Sequence, residues 1–402
     1  MSIENYSSHE DDMDVLQRKF YTGPQKPENY ENGIEHMSFS EIKDYLTNQE
    51  LDSETEKQVS DILNSWKESP DNVSPYKDMR DILDKARELP HGLERVKQMN
   101  TIVRTLGEPE NLATYLDMLR DSASRTGTEE QAICIDKLQK GKMHSIYGWC
   151  GNTEIVESLD SVTKGTHDCD PAIGEKLGIN STAGWGLSIH VWQPNSTARG
   201  FPLDSETVDE DMVLEPPHSH PFDFVSKIVK GRMHQSIYRQ ADTKEVRNNN
   251  SNRVAIPGHY DDSELVHVDG VWPPHEFQAA TSIETQEHRV SLNAGDSYYM
   301  PCDFIHDVEI DGKNADSRPT ISLFLGAEFM VMPHVYMTRE MADYHELNPD
   351  IKQNGSSISE DAWHDKLKAI SAYLRSEADT LDLNRIVNSE ESYAFHNVKK
   401  DN

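Results

Sequence analysis

The feature that most constrains this chain is a change of hydrophobic period in its first half. Up to about residue 140 apolar residues recur every three or four positions; after about residue 142 they come in short runs broken by Gly, Pro and Asn. Val59/Ile62/Leu63/Trp66, Met79/Ile82/Leu83/Ala86, Met99/Ile102/Val103/Leu106 and Leu112/Tyr115/Leu116/Leu119 each paint one stripe of a helix. Helix starts are marked by capping-box spacing at Ser38 with Glu41, Ser53 with Glu56 and Thr128 with Gln131, and by Ser74 before Pro75. Gly186–Trp192, Phe224–Val229, His288–Leu292 and Thr320–Leu325 then read as short strands of a sandwich or barrel. A last stripe, Trp363, Leu367, Ile370 and Leu374, follows a cap at Ser357 with Glu360. The expectation is a loosely ordered arm over 1–37, an all-α domain over 38–140, a mainly β domain over 141–336 and a C-terminal helical segment over 337–402.

Charge excludes two partner classes. With 39 Lys plus Arg against 71 Asp plus Glu the formal charge is -32, which repels nucleic-acid phosphates and anionic membranes. No uncharged apolar run reaches the roughly 18 residues a membrane span needs, and the N-terminus lacks the basic and apolar regions of a secretory signal. Cys134, Cys150, Cys169 and Cys302 form no CxxC pair, so neither a disulfide framework nor a zinc ribbon is expected. A reducing cytoplasm is the expected location.

The chemistry-bearing pattern is His218-Ser-His220, with a third histidine, His306, much later. On a strand, residues two apart share a face, so both nearby imidazoles are expected to reach one metal. Gly231 follows the pair; Gly295 and Pro301 precede His306. In these residues the chain resembles the cupin superfamily, whose motifs run G-x5-H-x-H-x3,4-E-x6-G and G-x5-P-x-G-x2-H-x3-N. The resemblance covers about residues 185–330 and departs from the pattern at Met212, Asp303 and Ile310. It implies a double-stranded β-helix (jelly-roll) barrel with a metal on His218, His220 and His306.

Phe224 stands where the family's acidic ligand usually sits. By strand parity Phe224 faces the pocket and Asp223 faces away; a bulge would reverse this and bring Asp223 in. Without a carboxylate the ligand set is similar to that of the three-histidine iron cupins, the thiol dioxygenases and diketone-cleaving enzymes. The resemblance to cysteine dioxygenase lacks that family's crosslinking cysteine, since Phe224 and Val225 occupy the region. Three neutral ligands leave a divalent metal its full charge and open positions, which favours an anionic chelating substrate beside O2.

The resemblance thus implies an Fe(II) dioxygenase acting on a small thiol, enolate or amino-acid-like substrate. A zinc lyase or isomerase, and a cupin that binds or scaffolds without turnover, stay open beside it. Tyr298 and Tyr299 are candidate pocket hydroxyls, Asp307 and Glu309 candidate supports of an imidazole, and Arg232 a candidate clamp for a substrate carboxylate. The segment between Gly231 and Gly295, with Trp272-Pro-Pro-His275, is expected to form an ordered flap. The helical stripes need burial against the barrel, a second copy or a protein partner.

Overall fold

The computed structural model describes residues 34, 36–72, 75–126, 143–150, 186–192, 212–220, 222–240, 265–269, 277–281, 283–311, 318–327, 334–338, 360–378, 380, 381 and 383. The expected arm (apart from residues 34, 36 and 37), the Thr128 and Ser357 caps and the Trp272–His275 stretch lie outside these residues.

Helices α1 (Phe39–Asn48), α2 (Ser53–Glu68), α3 (Pro75–Glu88), α4 (Leu93–Leu106) and α5 (Pro109–Thr126) come first, and α6 (Glu360–Leu374) comes last. Ser38 caps α1 with a full capping box to Glu41. At α2 the cap is one residue earlier than expected: Asp52 accepts from Thr55 N–H at 2.8 Å, and Ser53 is already helical. An ionised carboxylate at that place also meets the positive end of the helix, which a serine hydroxyl does less well.

Among the described residues twelve strands, paired antiparallel, form two sheets. The first, in order β1-β2-β11-β4-β9, contains β1 (Met143–Cys150), β2 (Gly186–Trp192), β4 (Phe224–Lys230), β9 (Ser297–Met300) and β11 (Thr320–Gly326). The second, in order β7-β6-β12-β3-β10-β5-β8, contains β3 (Met212–His218), β5 (Arg232–Gln240), β6 (Leu265–Asp269), β7 (Phe277–Thr281), β8 (Ile283–Asn293), β10 (Ile305–Asp311) and β12 (His334–Thr338). Within the stretch expected as a flap, the described residues are chiefly strands, β5 to β8. Paired antiparallel sheets with flanking helices are compatible with a cupin-like β fold.

Alternation sorts the five-stranded sheet into two faces. Leu187, Ile189, Val191, Val225, Val229, Tyr299, Ile321, Leu323 and Leu325 point outward into one core shared with the helical stripes, Val59, Leu63, Ile102, Val103 and Leu116 among them. The next residues along, Trp192, Phe224, Ile228, Tyr298 and Met300, point inward and meet Met233, Ile237, Leu292, Val308 and Ile310 of the other sheet. Of the helices, α4 lies on β4, β9 and β11 and α1 on β9, while α2, α3, α5 and α6 pack chiefly on one another within the same core. Phe39, at the start of α1, enters the inter-sheet core beside Tyr298, while Glu287 of β8 accepts from the N–H groups of Phe39 and Ser40.

Two of the crossings between sheets turn on glycine. Gly231 alone links β4 to β5 at φ +83°, where a Cβ would stand 2.7 Å from Thr320 Oγ1 and 2.8 Å from Pro319 O. Gly295, between β8 and β9, has φ +97°, and its N–H donates to Ile228 O at 2.8 Å. Both backbones sit where an L side chain is strained, so glycine is the residue each turn calls for.

Candidate metal centre

Two of the three histidines are brought together by strand pairing. His218 is the last residue of β3 and stands directly opposite His306 of β10, so both side chains leave the sheet on one face. Their ring centroids are 4.5 Å apart. His220 lies beyond the end of β3, in the link to β4, rather than on a shared strand as the sequence suggested. From there His220 Nε2 comes to 2.9 Å from His306 Nε2. One ligand atom from each of the three lies within 4.8 Å of the others, and among the described residues no carboxylate or thiol joins the group.

The spacing fits a metal. Two nitrogens each about 2.1 Å from one ion and at right angles stand about 3.0 Å apart, against about 3.4 Å for a tetrahedral pair. The observed 2.9 Å between these two nitrogens is a separation at which both can reach one ion. Burial, followed by the neighbouring His218 and His220, holds the His306 imidazole well below its ordinary pKa, so it stays neutral with a lone pair to give. His306 Nδ1 is buried and has no hydrogen-bond partner among the described residues.

The other sequence candidates divide by face. Phe224 does look into the site, meeting His220 edge-on at 4.8 Å and His306 at 6.1 Å. Asp223 looks away: its carboxylate accepts from Tyr299 O–H at 2.6 Å and from Cys302 N–H at 2.8 Å. Tyr299 sits with it on the helix-covered side. Tyr298 is inside, edge-on to Phe224, with its hydroxyl taking a 3.1 Å bond from Gln235 Nε2; burial raises its pKa. Asp307 is on the outer face of the seven-stranded sheet, where it accepts from Tyr238 O–H at 2.6 Å and Ser236 N–H at 2.7 Å; burial pushes its pKa up to about 6. Glu309 pairs with Arg289. Arg232 is exposed at the start of β5, five residues from Ile237, the partner of His306, a run of about 17 Å along a strand.

One inward histidine escaped the sequence reading. His190 of β2 stacks on Phe324 at 5.4 Å and 27°, and Phe324 in turn lies 6.3 Å from His220. The signal was its parity with Trp192 in Gly186–Trp192, which places both on one face.

No protein-family model matches the chain, and no curated protein matches it. Among solved structures, hydroquinone 1,2-dioxygenase from Sphingomonas sp. TTNP3 with 4-hydroxybenzoate bound aligns over 39% of this chain and 65% of that one, at 10% identity and a TM-score of 0.18. A hydroquinone 1,2-dioxygenase in complex with Cd2+ and 4-hydroxybenzonitrile aligns over 38% and 61%, at 11% identity and a TM-score of 0.18. L-ribose isomerase from Cellulomonas parahominis aligns over 61% and 96%, at 13% identity and a TM-score of 0.24. The chain spans less than two thirds of either dioxygenase. Likenesses this loose carry no weight for the site, whose reading rests on this chain's own residues.

Proposed function

We propose that the chain is a cupin-type non-haem Fe(II) dioxygenase, acting in the cytoplasm on a small chelating substrate (a thiol, an enolate or an amino-acid-like compound) with O2. The observation that carries this reading is the convergence of three imidazoles with no carboxylate among them in the described residues. His218, His220 and His306 would hold the ion, which when bound supplies a doubly charged attachment point for an anionic chelate and redox chemistry with O2. His306 is the buried member of the set, and its neutrality keeps its lone pair available. Phe224 is buried against His220 and His306 on the inner side of the cluster, with Phe324 4.4 Å from it. His218 and His220 are only half-buried, which leaves the opposite side for a substrate to approach.

The test is the metal content of protein purified without oxygen. Wild type is expected to hold near-stoichiometric iron and to consume O2 with a thiol or an enolate. His218→Ala and His306→Ala are expected to lose the iron. Zinc in the wild-type site, with no O2 uptake under any of these conditions, would overturn the redox reading.

A further inference from the structure

Strand pairing accounts for two of the three imidazoles and leaves the third to be explained. His306 lies on β10 between β3 and β5, and His218 ends β3 directly opposite it. His220 belongs to neither strand. It stands on the link of residues 219–223 between β3 and β4, yet its Nε2 comes to 2.9 Å from that of His306. Something other than the sheet ladder must fix where that link runs.

The link is held at its far end. Asp223, three residues after His220, is buried, and its carboxyl group accepts from Tyr299 O–H at 2.6 Å and from Cys302 N–H at 2.8 Å. Its backbone carbonyl accepts from Ala327 N–H at 2.8 Å. Just before it, Phe222 lies edge-on to Phe324 at 5.7 Å and rests over Gly326, where a Cβ would stand 3.0 Å from Phe222 Cε2. Cys302 belongs to the connection from β9 to β10 that leads into His306, a connection turned by Phe304 N–H donating to Pro301 O at 3.0 Å. One carboxyl group thus ties the segment that carries His220 to the segment that delivers His306.

We infer that Asp223 is the positioning residue of this metal centre. The inference rests on the reading of His218, His220 and His306 as ligands and adds what sets the spacing of two of them. Asp223 is not itself a ligand: its carboxyl group is bonded to Tyr299 on the helix-covered side, and the next residue, Phe224, is the one that meets the imidazoles. A carboxyl group offers two oxygens in a rigid fork, so it meets a hydroxyl and an amide together and fixes the segments that bear them. Groups that orient ligating imidazoles from outside typically account for about 10–100-fold in metal affinity. A tie that served the fold alone would add stability and leave the ligand set of the folded molecule unchanged. A positioning tie alters the ligand set itself.

The experiment loads the full chain with about one equivalent of Cu(II) as a spectroscopic probe. Electron spin echo spectroscopy counts the coordinated imidazoles, and competition with a chelator gives the affinity per folded molecule. Wild type is expected to show three imidazoles. Asp223→Ala is expected to bind copper about tenfold more weakly, with two imidazoles on the ion, because His220 is released. Asp223→Asn is the conservative variant: its amide oxygen accepts from Cys302 N–H and its amide N–H donates to the Tyr299 oxygen. It should keep three imidazoles and an affinity within about twofold of wild type. Loaded with Co(II), it should also bind the coloured anionic chelate 4-nitrocatechol as wild type does. Tyr299→Phe keeps the ring and removes one of the two bonds, with an expected loss of about threefold. Three imidazoles and wild-type affinity in Asp223→Ala overturn the assignment; where that variant does not fold, the same result in Tyr299→Phe does so. Asp223→Asn behaving like Asp223→Ala also defeats it, since charge rather than position would then be what the ion feels. A wild type whose copper carries fewer than three imidazoles brings down the three-histidine reading itself, before any variant is made.

Discussion

The two faces of the five-stranded sheet are made from alternate residues of the same strands, yet they are built on different principles. Outward, β2, β4 and β11 present Leu187, Ile189, Val191, Val225, Val229, Ile321, Leu323 and Leu325, aliphatic side chains locked under helices. Inward, the same strands present His190, Trp192, Phe224, Ser226, Ser322 and Phe324, mostly rings and hydroxyls, beside the aliphatic Ile228, and the buried Trp192 Nε1 has no hydrogen-bond partner among the described residues. The lesson is a division of labour at one-residue resolution: odd positions of β11 hold the molecule together and even positions shape the site.

Neighbouring residues offer the sharpest way to break that comparison. Leu323→Ala, on the helix side, is expected to lower unfolding stability by about 3 kcal/mol, read from urea denaturation, with metal bound per folded molecule unchanged. Phe324→Leu, one residue on, is expected to cost only about 1 kcal/mol because its ring is half-buried. It should weaken 4-nitrocatechol binding about fivefold by removing the ring surface. Equal stability losses in the two variants would end the distinction.

Ser38→Ala should cost about 1 kcal/mol by stripping the cap of α1, again without touching metal content. The smallest effect is expected where the helix side carries a charge. Lys227 donates to Arg104 O at 3.1 Å and to Glu108 at 2.6 Å, yet burial outweighs both and lowers its pKa. Lys227→Met should therefore change stability by no more than about 1 kcal/mol at neutral pH. The sign with pH follows from the lowered value. Between the folded pKa and the ordinary 10.5 the unfolded chain binds more protons, so wild type gains stability relative to Lys227→Met as pH rises through that window and loses it as pH falls. Urea titrations of both proteins at about pH 7 and about pH 10 measure the slope.

Much of this was legible in the residues. Helical stripes such as Met99/Ile102/Val103/Leu106 lie buried in α4, and the strand runs Gly186–Trp192 and Thr320–Leu325 fall on β2 and β11. Gly231 and Gly295 stood out by spacing and prove to be positive-φ turns. What the sequence hid was pairing. That His218 faces His306 is a fact of register between β3 and β10, which no local pattern encodes. His220 reaches them from beyond the end of β3, so strand parity is not what brings it beside His218 and His306. The stripes required burial but could not say that α4 meets the sheet while α2, α3 and α5 meet other helices, because periodicity carries no information about the other surface. His190 was missed for a related cause: a histidine between Ile189 and Val191 reads as strand packing until the facing ring is known.

Strand β4 reaches past the sheet with both of its lysines. Lys227 grips the end of α4, while Lys230 donates to Tyr373 O at the end of α6 and lies 4.1 Å over the Tyr373 ring. The first residue of the same strand, Phe224, touches His220. A practical rule for dissecting the protein follows. Expressing 141–336 alone would leave a broad aliphatic sheet face bare to solvent and two lysines without their acceptors, a surface primed for aggregation rather than a free-standing barrel. Surgical removal of the helices would thus be felt first as insolubility, and only afterwards as lost chemistry.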